Sequence, residues 1–172
     1  MKFIDCAAPA TDKELSATES ELGLQFPQSL KDLFRDANGG QPEPYCFKSD
    51  YTATWIVNGI LTLERAAASY RLLVMDRGFW RPNLFPFAVD PGGALFLVDC
   101  ETEAVMCWCN DYYEEGVRDG LTDFKCTLLD FWDHLVEEET VYPEDNAQPE
   151  TPKSTLDFGL VEGWFEGRSR KK

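Results

Sequence analysis

The spacing of apolar residues changes period several times along the chain, and each change marks an expected element. Thr11-x-x-Glu14 has the spacing of a capping box, so a helix is predicted from Thr11 to Gly23, with Leu15 and Leu22 on a thin apolar stripe. Pro27 can occupy the first turn of a second helix, in which Leu30, Leu33, Phe34 and Ala37 fall at i, i+3, i+4 and i+7. Asn38-Gly39-Gly40 then stops it, before Pro42 and Pro44. Glycines that admit positive φ favour a structural stop over a phosphate cradle, which would need a basic partner nearby.

Thr52 to Val57 is β-branched and aromatic and is followed by Asn58-Gly59, a strong hairpin signal, then by Ile60 to Leu63. Two short strands, or a strand and a turn, are expected there. Leu63 to Arg77 reads as a helix from its Ala66-Ala67-Ala68 run and from Leu63, Ala67, Tyr70 and Val74; it leaves through a loop at 78–82. The strongest strand signals are Leu84–Val89 and Ala94–Asp99, joined by Asp90-Pro91-Gly92-Gly93, and Ala104–Asn110 after a polar turn at 101–103. Together they predict an antiparallel meander.

A last helix is expected from Thr127-x-x-Asp130, presenting Leu128, Phe131, Trp132, Leu135 and Val136 to the core and ending on Glu137-Glu138-Glu139, where the helix dipole disfavours negative charge. Residues 143–153 are acidic and proline-containing and read as a linker. Beyond it Leu156, Phe158, Leu160, Val161, Trp164 and Phe165 are too apolar for a free tail. Residues 154–172 are therefore expected to dock on the domain or on a partner, with a basic end at Arg168, Arg170, Lys171 and Lys172. The folded domain is set at residues 1–142.

Composition is ordinary for one globular domain, with 44% hydrophobic residues. Charge changes the picture, because 31 acidic residues against 16 Lys and Arg give a net charge of -15. Direct nucleic-acid or membrane binding is disfavoured as a main activity, and a basic partner is favoured. Most of the excess lies between residues 99 and 145, where Arg118 and Lys125 are the only basic residues.

Cys107-Trp108-Cys109 invites a metal reading, but with one histidine in the chain and no second Cys-x-x-Cys, neither metal nor cofactor is expected. Val105, Cys107 and Cys109 share one face of an extended stretch, as plain apolar positions would. Asp5 interrupts any apolar leader core in MKFIDCAAPATDKE, so a reducing compartment is expected. No apolar run approaches the length of a membrane span.

Three stretches in order resemble the SUKH superfamily, the Smi/Knr-type domain of bacterial toxin-immunity proteins and fungal cell-wall regulators. The first is Glu21-Leu22-Gly23-Leu24-Gln25-Phe26-Pro27 with Leu30-Lys31 and Asn38-Gly39-Gly40, similar to that group's "LG..FP" and "NGG" opening. The second is Leu84-Phe85-Pro86-Phe87-Ala88 with Asp90, Gly92-Gly93 and the strand to Asp99; the third is an amphipathic closing helix at 131–136. The match spans about residues 11 to 139. It implies an α+β fold, a mainly antiparallel sheet flanked by helices, and, in bacteria, a cytoplasmic protein that binds and neutralises a cognate toxin. Gly23, Phe26, Pro27, Asn38, Gly39, Gly40, Pro86, Gly92 and Gly93 are then the motif residues.

Catalysis has little to stand on. His134 sits beside Trp132 and Leu135, where a structural or surface role fits better than that of a general base, and abundant carboxylates carry little information in so acidic a chain. The leading expectation is a non-enzymatic immunity protein, monomeric or weakly dimeric, whose acidic surface meets a basic toxin domain, plausibly a nuclease. Asp111, Glu114 and Glu115 would steer it, and Trp108, Tyr112 and Tyr113 would supply desolvated anchors. For any one of these residues a solvated loop pinned to the sheet by Tyr112 is the plainer account. The alternative function is a regulatory protein-binding scaffold like the fungal relatives.

Overall fold

The computed structural model describes residues 1–48, 54–76, 78–79, 81–109 and 120–137. In chain order the elements are β1 (Lys2–Ile4), α1 (Asp12–Leu22), α2 (Gln28–Ala37), β2 (Gln41–Glu43), β3 (Cys46–Lys48), β4 (Thr54–Ile56), β5 (Gly59–Ile60), α3 (Leu63–Tyr70), β6 (Leu84–Val89), β7 (Leu95–Asp99), β8 (Ala104–Trp108), β9 (Leu121–Thr127), α4 (Leu128–Phe131) and β10 (Leu135–Val136). They form an α+β fold with three sheets, ordered β1-β2, β10-β3-β4 and β5-β6-β7-β8-β9, all antiparallel.

The predicted capping box starts α1: Glu14 N–H donates to Thr11 Oγ1 (3.2 Å) and Thr11 N–H to the Glu14 carboxylate (2.8 Å). Gly23 ends that helix at φ 67°, its N–H donating to Glu19 C=O. Leu30, Leu33, Phe34 and Ala37 of α2 are all buried, as their spacing predicts. Thr62 caps α3 by accepting from Arg65 N–H.

The expected helix to Arg77 keeps α geometry only to Tyr70 and widens into a π-helical turn over Arg71–Asp76. Tyr70 is held in place by donating its hydroxyl to Pro82 C=O (2.6 Å). The wider turn buries Leu73, and leaves Val74 half-buried with Leu72 and Met75 exposed.

The five-stranded sheet is covered on both faces, which is why its central strands read as near-continuous apolar runs. Phe85, Phe87, Phe96, Val98, Val105 and Cys107 face the main core with α2 and α4. Leu84, Leu97, Met106 and Trp108 face a second core closed by Leu73 and Phe79. Cys107 and Val105 thus share a face, with Cys109 packed at its margin. The register slips between Pro86 and Ala88, so Pro86, which has no N–H to give a ladder, sits at a bulge.

Two expectations are corrected. Asn58-Gly59 makes no hairpin: β4 pairs with β3, whereas β5 pairs with β6 in another sheet. Long-range partners hold that corner instead, Asn58 N–H on Val89 C=O (2.9 Å) and Ile60 N–H on Gly40 C=O (2.7 Å). The closing helix is also shorter than its pattern suggests. Thr127 and Asp130 do form a capping box, but α4 ends at Phe131, and after one 3-10 turn (Trp132–His134) Leu135 and Val136 extend against Phe47 and Cys46 of β3. Strand pairing satisfies the β3 backbone and still buries Leu135, so the same apolar spacing serves a strand. Glu137 therefore follows a strand and lies on no helix end; Glu138, Glu139 and residues 143–172 lie outside the described residues.

Candidate functional site

Of the six residues expected to meet a partner, Trp108 alone is described; Asp111, Tyr112, Tyr113, Glu114 and Glu115 lie outside the described residues. Trp108 ends β8 at 5% exposure, its ring edge-on to Phe79 (5.7 Å, 73°). One residue on, Cys109 N–H donates to Gly120 C=O (2.8 Å), which clamps together the two ends of the acidic connection. A side chain at Gly120 would stand 2.6 Å from the Cys109 oxygen and 3.3 Å from Trp108 Nε1, so close approach requires glycine. The pairings Val89↔Leu95, Leu95↔Trp108 and Trp108↔Leu121 place this clamp at the same sheet end as the 90–93 turn. That turn is closed by Ala94 N–H on Asp90 Oδ1 (2.7 Å), with Gly93 at φ 89° and Gly92 against the Asp90 carboxylate.

Other acids between 99 and 137 leave from elsewhere. Ala104↔Thr127 puts 101–103 and 127–130 at the opposite sheet end, about 14 Å away along β8 at ~3.4 Å per residue. Asp99 is not a surface charge at all: it is 3% exposed and accepts from Asn83 Nδ2 (2.6 Å), Arg81 (3.3 Å) and the N–H groups of Glu101 (2.9 Å) and Thr102 (3.1 Å). Glu103, at φ 61°, accepts from Ser29 Oγ on α2 while its C=O receives Leu128 N–H of α4. Contiguity in sequence therefore does not make one acidic patch. Among the described residues Glu101, Asp123, Asp130, Asp133 and Glu137 are exposed.

The motif residues act at joints. Leu24 N–H donates to Glu19 C=O (3.1 Å), and the Glu19 carboxylate receives both Phe26 N–H (2.7 Å) and Lys31 Nζ (2.9 Å). Phe26 is thereby seated on Phe85 (centroids 4.6 Å apart), and Pro27 begins α2 as its N-cap residue. Asn38 donates to Ala8 C=O (2.7 Å), accepts Leu63 N–H on its side chain (2.8 Å) and Ala7 N–H on its backbone (2.7 Å). Gly39 has φ 77°, and a Cβ there would meet Thr62 at 2.7 Å; one at Gly40 would meet Cys6 Sγ at 2.5 Å. Glu19, Arg81, Asn83 and Glu103 carry no periodicity and no motif, and Asp99 reads in the sequence only as a strand end and the start of the acidic run, so the joints they make are not visible there.

Burial, aided by neighbouring carboxylates, pushes the thiols of Cys100 and Cys107 up to about 12 and that of Cys126 to about 11, so they are not nucleophiles near neutral pH. His134 is exposed, with its ring 5.5 Å from Phe47. Among the described residues no group of three His, Cys, Asp or Glu side chains could hold a metal, and no helix is long and apolar enough to cross a membrane.

Comparison with curated proteins finds no match. Comparison with protein families does: the profile of the SMI1 / KNR4 family (SUKH-1) matches residues 9–146, from just before α1 through every later element of the fold. With the match covering most of its length, the chain belongs to the SMI1 / KNR4 family (SUKH-1).

Proposed function

We propose that this protein is an immunity protein that binds and neutralises a basic toxin domain, and that it does so without catalysis. Family membership supports an immunity or regulatory role in general. The observation that carries the finer reading is the charge: a net -15 chain whose acidic, tyrosine-bearing stretch 110–119 issues from the clamped ends Cys109 and Gly120. A fixed point of departure lowers the ordering cost of a binding segment. Asp111, Glu114 and Glu115 then steer a basic surface, with association rates toward about 10⁸ M⁻¹s⁻¹ at low salt, and Tyr112 and Tyr113 supply apolar contact.

The test is co-expression with the C-terminal domain encoded by the adjacent upstream gene, scored for growth rescue and co-purification. Rescue with a stoichiometric complex is expected. Toxicity that persists despite soluble protein would remove the immunity reading and leave the regulatory scaffold, which the family equally contains.

A further inference from the structure

Glu137, the last residue described before 138–172, lines a groove of about 470 Å³. Ile4, Pro42, Tyr45, Ile56 and Val57 form its apolar wall, and Glu43 and Glu137 stand among its polar lining. It lies where β2, the start of β3 and the end of β4 meet; Pro42 and Val57 are buried, whereas Ile4, Tyr45 and Ile56 are only half-covered. We propose that residues 156–165 of the same chain dock in this groove, so that the chain covers it with its own apolar segment.

Three observations select this occupant. The segment carries Leu156, Phe158, Leu160, Val161, Trp164 and Phe165 within ten positions, a density that calls for a covered surface. The chain leaves the described fold at the groove itself. Eighteen residues, 138–155, separate Glu137 from the segment, and a tether that short holds it at an effective concentration of order mM, so weak intrinsic affinity suffices. Charge agrees: Glu43 and Glu137 are exposed acids, and Arg168, Arg170, Lys171 and Lys172 follow directly after the apolar stretch. Glu43 also pairs with Lys2 (2.6 Å), but both side chains are exposed, and such a pair is readily exchanged for another cation.

The experiment is hydrogen–deuterium exchange on the full chain alone at low micromolar concentration, comparing wild type with the double variant Trp164→Ala, Phe165→Ala. In wild type, amides of 156–165 should exchange at least tenfold more slowly than those of 143–153. In the variant that protection should vanish, and exchange at Tyr45 and at 56–59 should rise. Any of three results overturns the proposal: a segment exchanging at the linker's rate, a protected segment whose substitution leaves the groove amides unmoved, or protection that grows with protein concentration and so marks a second copy. No partner is needed, so the outcome is independent of the toxin-binding reading.

Discussion

Asn38 illustrates how much one side chain can join: its amide and backbone tie the N-terminal arm at Ala7 and Ala8 and the first turn of α3 at Leu63 to the end of α2. Asn38→Ala leaves partners on both segments unsatisfied, and is expected to cost about 1 to 3 kcal/mol in urea unfolding; an unchanged midpoint would show that water replaces it freely. The cysteines make a second residue-scale prediction. Cys6 is exposed, whereas Cys46 and Cys107 are buried and burial holds the Cys100, Cys107 and Cys126 thiols protonated. Thiol labelling at pH 8 should therefore be fast at Cys6 and slow at Cys100, Cys107 and Cys126. Because the folded pKa values are raised, these thiols contribute stability that is complete below pH ~9 and lost as pH rises toward 11 to 12. Fast labelling at Cys107 in folded protein would contradict this. The motif glycines were readable as turn positions, but that a Cβ at Gly39 meets Thr62 and one at Gly40 meets Cys6 depends on chain segments far away in sequence.

At the scale of elements, both capping boxes were legible because a cap is a local hydrogen-bond pattern with fixed spacing. Thr127 matters more than its position suggests, since α4 has only four residues; Thr127→Ala is expected to cost about 1 kcal/mol. Hydrogen bonds from the Thr11 backbone and side chain hold the Glu14 carboxyl below its ordinary range, and the Thr127 side chain and backbone do the same for Asp130. A lowered pKa contributes stability that is present above the ordinary carboxylate range and lost as pH falls through the folded value. Glu14→Gln and Asp130→Asn should each flatten the acid limb of the stability curve, and an unaltered limb would remove the caps from that account. Core stripes were equally readable. Leu33→Ala and Phe131→Ala should each cost about 2 to 5 kcal/mol, with Phe131 at the upper end because its ring is fully buried against Phe47, Phe87 and Phe96. A soluble variant with an unchanged melting temperature would contradict that packing.

For the whole molecule, the decisive question is whether charge acts apart from the fold. Reversing Asp111, Glu114 and Glu115 to Lys should leave the melting temperature nearly unchanged, since surface substitutions usually alter stability by only about 0.5 kcal/mol each. Stopped-flow association with a basic toxin domain should slow and its salt dependence flatten, whereas truncating Tyr112 or Tyr113 should act on dissociation. Identical rates and salt slopes would move the contact surface to the acids at the far sheet end, around Glu101 and Asp130. Metal should be dispensable, so chelator-washed protein should remain folded and elute as a monomer or weak dimer; unfolding on zinc removal would overturn that expectation.

Amino-acid order alone determined what depends on neighbours within about one turn or one pleat: the caps at Thr11 and Thr127, the buried stripe of α2, and the meander of β6, β7 and β8 with its 90–93 turn. It also carried the motif order by which the family could be named. Tertiary structure decided wherever a local preference met a distant partner. Asn58-Gly59 gave up a hairpin because Val89 and Gly40 took its corner's hydrogen bonds, and Leu135–Val136 left a helical pattern because the β3 backbone offered pairing. The short strands β1, β2 and β3 likewise form against partners elsewhere in the chain, and their own composition announces none of them. The acidic run was legible as composition but not as surface: strand register sends its parts to opposite sheet ends, and Asp99 is turned inward onto Arg81 and Asn83, because a buried carboxylate persists only where enough donors converge on it.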